Sequence, residues 1–310
     1  MSRSKRTPGQ SFPAPGESLP ARREKRAWVR QTGWLLAVSL VCYGQIAIGL
    51  RLALDALFAA LFRAWGVNAA TAVRAPHWAQ LVWRWHGSLV TVAVAILAIL
   101  LSRWLRRLWR LDPAPAVNAR ENAKAAQWWR GLGVGALIGL AAAVALLLAG
   151  LIPDSLRMES PPRLTAGFFA LLAVSLAAVL SEEAFTKGVL YDGLAGRWGR
   201  LWATIAACAV FFVMNGGLAG TVVSGVNVLL LGLLCCAIHE RRGLWTAVGL
   251  RWGWSAATVL GMGFGGGEAS LTRFYGVSEG LLTGGDAGPV YGLYMTAALA
   301  LGLVWLHRKR

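Results

Sequence analysis

The chain has few charged residues for its length and few of the side chains that soluble enzymes commonly use for chemistry. Only 15% of its 310 residues are charged, whereas 56% are hydrophobic, and it contains only four cysteines and four histidines. This composition is too apolar for an ordinary soluble domain. Residues 1–30 are basic and contain no short apolar core of their own, so we expect no cleavable signal peptide there.

The scarcity of cysteine and histidine also limits metal chemistry. A zinc site needs three or four nitrogen, sulfur or carboxylate ligands, and no two histidines stand at ligand spacing. His239 is followed directly by Glu240, Arg241 and Arg242, which indicates a place at a membrane interface rather than a catalytic role. The cysteines fall inside apolar runs and are interpreted as small apolar fillers: Cys42, Cys208, Cys235 and Cys236. We expect no metal and no cofactor.

Long apolar runs are abundant, and they determine the predicted fold class. A helix needs about 20 mainly apolar residues to cross a bilayer. The sequence predicts an all-α, polytopic transmembrane helical bundle with both termini in the cytoplasm. About eight spans are expected, over residues 33–50, 87–102, 131–152, 164–186, 201–218, 223–239, 244–262 and 290–306.

The net charge of +17 raises the possibility of nucleic-acid binding. With eight spans and a cytoplasmic N-terminus, however, most of the 31 basic residues fall in the predicted cytoplasmic segments. That asymmetry is the positive-inside pattern of membrane proteins. The basic residues therefore indicate membrane topology and contact with anionic lipid of the inner leaflet, and no nucleic-acid partner is expected. Most of the tryptophans lie near predicted span ends, where they are interpreted as interfacial anchors.

Four units are predicted along the chain. Residues 1–30 form a disordered basic tail, residues 31–102 an N-terminal transmembrane hairpin, residues 103–130 a basic cytoplasmic linker, and residues 131–310 the main transmembrane domain. An additional interfacial helix, Leu52 to Trp65, is possible within the hairpin. Pro113 and Pro115 are expected to interrupt any helix in the linker. The glycine-rich region 261–288 is interpreted as an outer loop or a re-entrant segment.

Small residues in the third span predict close helix packing. Gly131, Gly135 and Gly139 recur at a spacing of four, which places them on one face of a helix. Small residues at this spacing allow two helices in a membrane to approach closely.

Polar residues inside the predicted spans mark the candidate site. Glu182 and Glu183 end the fourth span, and Lys187 follows Glu183 by four residues, so that the two can pair on one helix face. Asn215 lies deep in the fifth span, and Arg251 lies in the seventh, with Ser255 one turn beyond it. Ionisable groups inside a membrane are costly and usually functional. We therefore expect these six residues to share one cavity.

Three short motifs resemble the CPBP family of intramembrane proteases, which groups the type II CAAX prenyl proteases with bacterial Abi proteins. The family pattern Glu-Glu-x-x-x-Arg is matched by residues 182–187, and Phe-x-x-x-His by residues 211–215. The pattern His-x-x-x-Asn/Ser, which follows a Leu-Trp pair, is matched by residues 251–255 after Leu244 and Trp245. The resemblance implies a glutamate-dependent intramembrane endopeptidase with Glu182 as the general base.

The chain departs from the family motifs at three positions. Asn215 and Arg251 replace the two histidines that help to position water or to stabilise an oxyanion, and Lys187 replaces the arginine of the first motif. Two cations beside two carboxylates make physical sense as a buried ion-pair network, in which a carboxylate is a poorer general base. Asn215 and Arg251 can still bind an oxyanion in principle, and Ser255 can hydrogen-bond within the site.

Three functions remain open. The first is a diverged, non-catalytic family member that acts as a scaffold or binds a membrane-embedded peptide or protein. The second is an active glutamate-dependent intramembrane endopeptidase. The third is an unrelated multi-span transporter, which an inverted repeat would favour. High usage of alanine, arginine, glycine and tryptophan suggests a bacterial host, and hence a place in the bacterial inner membrane.

Overall fold

The computed structural model describes residues 19–68, 71–111, 121–151, 156–160, 162–218, 220–264, 270–276, 281–282, 284, 288 and 291–308. Helices account for nearly all of the regular structure in these residues. The α-helices are α1 (Leu19–Gly44), α2 (Arg51–Ala64), α3 (His77–Leu108), α4 (Glu121–Leu151), α5 (Ala166–Phe185), α6 (Asp192–Trp198), α7 (Arg200–Met214), α8 (Val222–Arg242), α9 (Leu244–Ser255) and α10 (Leu293–Arg308).

Shorter elements join or extend these helices. Three segments are π-helix: π1 (Gln45–Leu50), π2 (Thr186–Tyr191) and π3 (Ala256–Gly261). A short 3₁₀-helix covers Ala72–Arg74. Two short strands, β1 (Leu156–Ser160) and β2 (Arg273–Gly276), pair antiparallel, with Leu156 opposite Gly276. β2 lies within the glycine-rich region 261–288 and ties part of it to the segment between α4 and α5.

The predicted fold class is confirmed: the protein is an all-α, multi-span membrane protein. Among the described residues, five helical segments are long and apolar enough to cross a membrane, namely Trp28–Ala64, His77–Leu108, Trp128–Ala145, Ala166–Trp198 and Val222–Arg242. Two shorter apolar helices, Arg200–Met214 and Leu293–Leu306, fall below that length. The count of eight spans and the cytoplasmic position of both termini remain predictions.

Helices extend into two of the predicted units, while the division of the chain into four units stays a prediction. The predicted tail extends to residue 30, but α1 begins at Leu19. Residues 21–28 consist of alanine, arginine, glutamate, lysine and tryptophan without glycine or proline, so they continue the helix of the span that follows. The predicted linker covers 103–130, but α3 extends to Leu108 and α4 begins at Glu121. Pro113 and Pro115 lie outside the described residues, as does the tail before Leu19.

Local signals explain where the helices of the main domain begin and end. The hydroxyl oxygens of Thr165 and Thr221 accept hydrogen bonds from the backbone N–H groups of Phe168 and Ser224, which caps α5 and α8. Gly199 separates α6 from α7 and Gly243 separates α8 from α9, both at φ 86°. That backbone conformation favours glycine, so the two glycines allow the chain to turn between consecutive helices.

Helices α4 and α9 pack backbone against backbone. A Cβ atom added at Gly135 would lie 2.2 Å from the carbonyl oxygen of Thr246, and one at Gly139 would lie 2.2 Å from that of Leu250. The contact is reciprocal, because a Cβ at Gly249 of α9 would lie 2.2 Å from the carbonyl oxygen of Leu132. The packing role predicted for the glycines of the third span is confirmed. The contact holds α9, which bears Arg251, against α4.

The largest buried cluster of the described residues joins the N-terminal helices to residues 185–236. It combines Leu35 and Tyr43 of α1 and Leu105 of α3 with residues from π2, α6, α7 and α8. Trp109, just after α3, is 1% exposed, and its indole N–H donates a hydrogen bond of 2.8 Å to the Ser39 hydroxyl. This tryptophan is therefore a core residue rather than an interfacial anchor. The N-terminal hairpin packs against the helices that bear the candidate site.

Candidate functional site

The two glutamates lie near the end of α5 and differ in exposure. The Glu183 side chain is completely buried, whereas 26% of the Glu182 side chain is exposed. Directly after α5 the chain enters π2, which begins at Thr186. The apolar run from Leu164 to Leu180 thus leads both carboxylates into the protein, with only Glu182 partly open to the surroundings.

Arg251 joins the two carboxylates from the facing helix α9. Its Nη2 atom donates hydrogen bonds to Glu182 Oε2 and to Asn215 Oδ1. Its Nη1 atom donates to Glu183 Oε1 at 3.3 Å. The guanidinium is itself buried, with 7% of the side chain exposed. One arginine of α9 therefore connects three of the predicted site residues, two from α5 and one directly after α7.

Lys187 forms the second ion pair of the site. Its Nζ atom lies 3.1 Å from both Glu183 oxygens and donates a hydrogen bond to Oε1. Both side chains are 0% exposed. The spacing of four residues predicts this pair, and the structure places it in the protein interior rather than at a surface. Two carboxylates and two cations thus balance each other in one cluster.

Phe211 provides an aromatic wall for both cations. The Lys187 Nζ atom lies 4.2 Å from the centroid of the Phe211 ring, and the Arg251 Cζ atom lies 4.7 Å from it. Phe211 is 1% exposed. A cation over an aromatic face is stabilised electrostatically, and more strongly when it is desolvated. In the sequence this phenylalanine stands out only as part of a motif, with no role of its own.

Asn215 follows the last residue of α7 and is hydrogen-bonded through both ends of its amide. Its Nδ2 atom donates to the carbonyl oxygen of Phe211 at 2.9 Å, and its Oδ1 atom accepts from Arg251. The amide oxygen thus orients Arg251. Ser255 ends α9, one turn after Arg251, and is half-buried. Ser255 takes no part in the hydrogen bonds that join the described members of this cluster.

A second polar cluster is not apparent from the sequence. Asp192 Oδ2 accepts a hydrogen bond from Arg106 Nη1 at 3.0 Å, and Asp192 Oδ1 lies 2.8 Å from His239 Nε2. Arg106 also donates to the carbonyl oxygen of Gly188, next to Lys187. The His239 side chain is only 10% exposed and turns inward toward Asp192; its position at the membrane interface stays a prediction. An aspartate six residues after the predicted fourth span, 164–186, is the one signal that the sequence offers for this cluster.

The cysteines and histidines form no metal site in the part of the chain that is described. There, no group of three or more histidine, cysteine, aspartate or glutamate side chains is arranged to hold an ion. Cys208, Cys235 and Cys236 are buried free thiols, and the Sγ atoms of Cys208 and Cys236 lie 3.9 Å apart.

The site lies in the part of the chain that matches a known family. Residues 164–257 match the family model of the Rce1-like proteins, described as type II CAAX prenyl endopeptidases. The family resemblance predicted from the motifs is confirmed. The match includes Glu182, Glu183, Lys187, Asn215, Arg251 and Ser255, and it spans just under a third of the chain. No curated protein and no solved structure matches the chain.

Proposed function

We propose that this CAAX-protease-like membrane protein is non-hydrolytic and acts as a scaffold that binds a membrane-embedded peptide or protein segment. The observation that carries the proposal is the position of Arg251. Its guanidinium occupies the space between Glu182, Glu183 and Asn215. A hydrolytic site needs a carboxylate oxygen free to accept a proton from water, and here Glu182 Oε2 is held by the arginine.

The charge balance supports the same conclusion. Breaking a buried ion pair by removing one partner is strongly destabilising. The Glu183–Lys187 and Glu182–Arg251 pairs are therefore coupled parts of the protein interior. A catalytic cycle in which Glu182 took up a proton would leave Lys187 and Arg251 with Glu183 as their one charged partner in this cluster, in a desolvated setting. The network favours stability and a fixed site over proton transfer.

A specific observation also supports the competing function, an active glutamate-dependent endopeptidase. Glu182 retains 26% exposure of its side chain, which leaves part of the carboxylate open to water or to a ligand. In a binding protein, the same opening gives a membrane-embedded segment a polar contact. A transporter is not supported by any such observation, and the family match favours the first two functions.

Cleavage and binding assays on the full-length protein in liposomes distinguish these functions. The probes are a prenylated CAAX peptide and a set of membrane-spanning peptides, each with a fluorescent reporter and a photo-crosslinker. We expect the wild-type protein to crosslink to a probe and to cleave no faster than Glu182→Gln. Cleavage at least tenfold above Glu182→Gln contradicts the proposal and establishes the endopeptidase. Absence of both crosslinking and cleavage contradicts the binding role.

A gain-of-function variant sharpens this test. Asn215→His combined with Arg251→His restores the two motif histidines and removes the guanidinium from Glu182. If Asn215 and Arg251, in place of the motif histidines, are all that suppresses hydrolysis, the double variant acquires cleavage activity. Adding Glu182→Gln to the double variant then abolishes that cleavage. Arg241→Gln is the matched control, because Arg241 is exposed at the end of α8.

The cellular location forms a further part of the proposal. We propose that the protein resides in a bacterial cell membrane, with its basic segments at the cytoplasmic leaflet in contact with anionic lipid. The distribution of basic residues along the sequence supports this placement. Labelling of single cysteines at residues 107 and 241 with a membrane-impermeant reagent tests it, because labelling in intact cells would place these positions outside.

A further inference from the structure

Arg106, in the last turn of α3, contacts the segment that carries Lys187. Its Nη1 atom donates hydrogen bonds to the carbonyl oxygen of Gly188 in π2 and, at 3.0 Å, to Asp192 Oδ2 at the start of α6. The terminal guanidinium nitrogens carry two hydrogens each, so both bonds can form at once. Arg106 lies outside the family-matched residues 164–257, whereas both of its partners lie inside them.

The carbonyl oxygen that accepts from Arg106 belongs to the residue directly after Lys187. All six residues of π2 are buried, and Lys187 is the second of them. Its ammonium lies 3.1 Å from the carboxylate of Glu183 and 4.2 Å from the centroid of the Phe211 ring. The position of this ammonium depends on the backbone from which the side chain projects. A contact at Gly188 therefore bears on the buried ion pair.

Trp109, one turn after Arg106, contacts α6. A Cβ atom added at Gly193 would lie 2.5 Å from the Trp109 ring, so glycine is required for this close approach. Arg197 Nη2 donates a hydrogen bond of 3.1 Å to the carbonyl oxygen of Trp109, which satisfies one of the free carbonyl groups at the end of a helix. The end of α3 is thus held against both π2 and α6.

Asp192 anchors the guanidinium of Arg106. Its Oδ2 atom accepts from Arg106, while its Oδ1 atom lies 2.8 Å from Nε2 of His239 in α8. The Arg106 and Asp192 side chains are only 20% and 30% exposed. Hydrogen bonds between ionised groups are stronger than those between neutral groups, so the carboxylate keeps the guanidinium at the Gly188 carbonyl. The three side chains join α3, α6 and α8 beside π2.

The backbone of π2 depends on such contacts. At its end, the N–H group of Asp192 bonds to the carbonyl oxygen of Lys187, five residues earlier, whereas an α-helix pairs residues four apart. Turns of this kind are rare and occur frequently at functional sites. Most helical stability in proteins comes from tertiary packing. A contact from α3 to the middle of π2 therefore helps to maintain the wider turn that presents Lys187.

We infer that Arg106 is a positioning residue for Lys187: it holds the π2 backbone at Gly188, and α3 thereby helps to set the Glu183–Lys187 ion pair. The site is thus assembled from two parts of the chain, one inside and one outside the family-matched segment. The ion pair is common to a binding site and a hydrolytic one, and the tests below use no substrate. Failure of this inference is therefore distinguishable from failure of the proposed function.

Selective NMR labelling tests the contact at a single peptide bond. Lys187–Gly188 is the only Lys-Gly pair in the sequence, so protein labelled with carbonyl-¹³C lysine and ¹⁵N glycine gives one HNCO resonance. We expect Arg106→Gln to shift this resonance by more than its linewidth. Arg103→Gln is the matched control, because Arg103 is an exposed arginine one turn earlier on α3. An unchanged resonance in Arg106→Gln overturns the inference.

A double-mutant cycle separates positioning of Lys187 from general support of the fold. If Arg106 acts on the ion pair, Arg106→Gln and Lys187→Met together cost less stability in detergent than the sum of their separate losses. Direct repulsion between the two cations would give coupling of the opposite sign. The cycle of Arg103→Gln with Lys187→Met is the control and is expected to be additive.

Two outcomes of the cycle contradict the inference, namely additive losses for Arg106→Gln and Lys187→Met and a combined loss larger than their sum. If Arg106→Gln does not fold, Asp192→Asn takes its place in both experiments, because it weakens the anchor of the guanidinium. An unshifted Lys187–Gly188 resonance in Asp192→Asn, or additivity of Asp192→Asn with Lys187→Met, then overturns the inference.

Discussion

Glu183 and Lys187 form an ion pair in which neither side chain has any exposure to the surroundings, with 3.1 Å between Nζ and each carboxylate oxygen. The pair occupies the junction where α5 passes into π2. The fold and the site are therefore linked directly, because π2, which follows the apolar helix α5, supplies the buried cation Lys187.

This pair predicts a strong coupling. Lys187→Met leaves a buried carboxylate without its nearest cation, and Glu183→Gln leaves a buried ammonium without its carboxylate. Each single variant is expected to be markedly destabilised. The double variant is expected to lose less stability than the sum of the losses of the two single variants. The coupling energy is expected within the range of about 0.5–3 kcal/mol seen for residues in contact. Unfolding in mixed detergent and dodecyl sulfate micelles measures it, and a coupling near zero would show that the two groups do not act as a pair.

Arg251 is expected to be the most sensitive charged residue of the chain. Arg251→Gln removes the guanidinium that contacts Glu182, Glu183 and Asn215. Loss of one partner of a buried ion pair typically costs about 3–5 kcal/mol. Thermal unfolding in detergent is the measurement, with the exposed Arg241→Gln as the control. A melting temperature equal to that of the control would contradict the network.

The contact between α4 and α9 gives a prediction with an internal control. A methyl group at Gly135 would meet backbone atoms of Thr246 and Leu250 at 2.2 and 2.5 Å, whereas one at Gly133 would meet nothing within 4 Å. Gly135→Ala must push the helices apart, and overpacking of this kind typically costs about 1–3 kcal/mol. Gly133→Ala is expected to be neutral or slightly stabilising. Equal stabilities of the two variants would contradict the close helix contact.

Trp109 gives a prediction for the attachment of the N-terminal hairpin. Trp109→Phe removes the indole N–H that donates to Ser39 and part of a fully buried ring. The lost hydrogen bond alone is worth about 1 kcal/mol. Trp104→Phe is the matched control, since Trp104 is 50% exposed. Limited proteolysis between α1 and α3 measures whether the hairpin has loosened, and we expect faster cleavage in Trp109→Phe than in Trp104→Phe. Equal cleavage of the two variants would show that Trp109 does not hold the hairpin in place.

Much of the site could be predicted because its residues are conspicuous. Acidic, basic and amide side chains inside apolar runs are rare, so the amino-acid sequence alone identifies Glu182, Glu183, Lys187, Asn215 and Arg251. The ion pair at a spacing of four follows from the geometry of a helix. The glycines at 131, 135 and 139 could be assigned to packing by the same reasoning, although their partner helix could not.

The buried positions of Tyr43 and Trp109 and the polar contacts of Asp192 could not be predicted from the sequence, for a physical reason. A tyrosine or a tryptophan in an apolar span has the same local pattern whether it faces lipid, an interface or a buried site. Only the packing of α1 and α3 against α5, π2 and α6 decides which of these applies. The contact of His239 with Asp192 could not be predicted either, because the charged neighbours of His239 at the helix end indicate only a membrane interface, while its side chain turns inward.

The sequence by itself determined the class of the protein, the family resemblance of residues 164–257 and the identity of the central charged residues. These follow from hydropathy, from the cost of charge in a membrane and from spacing along a helix, all of which are local properties. Only the tertiary structure decided that Arg251 holds both glutamates and Asn215 at once, and that Tyr43 of the N-terminal hairpin stacks on Phe185 of the helix that bears the glutamates. Contacts between residues so distant in sequence depend on how helices pack, which no local pattern specifies.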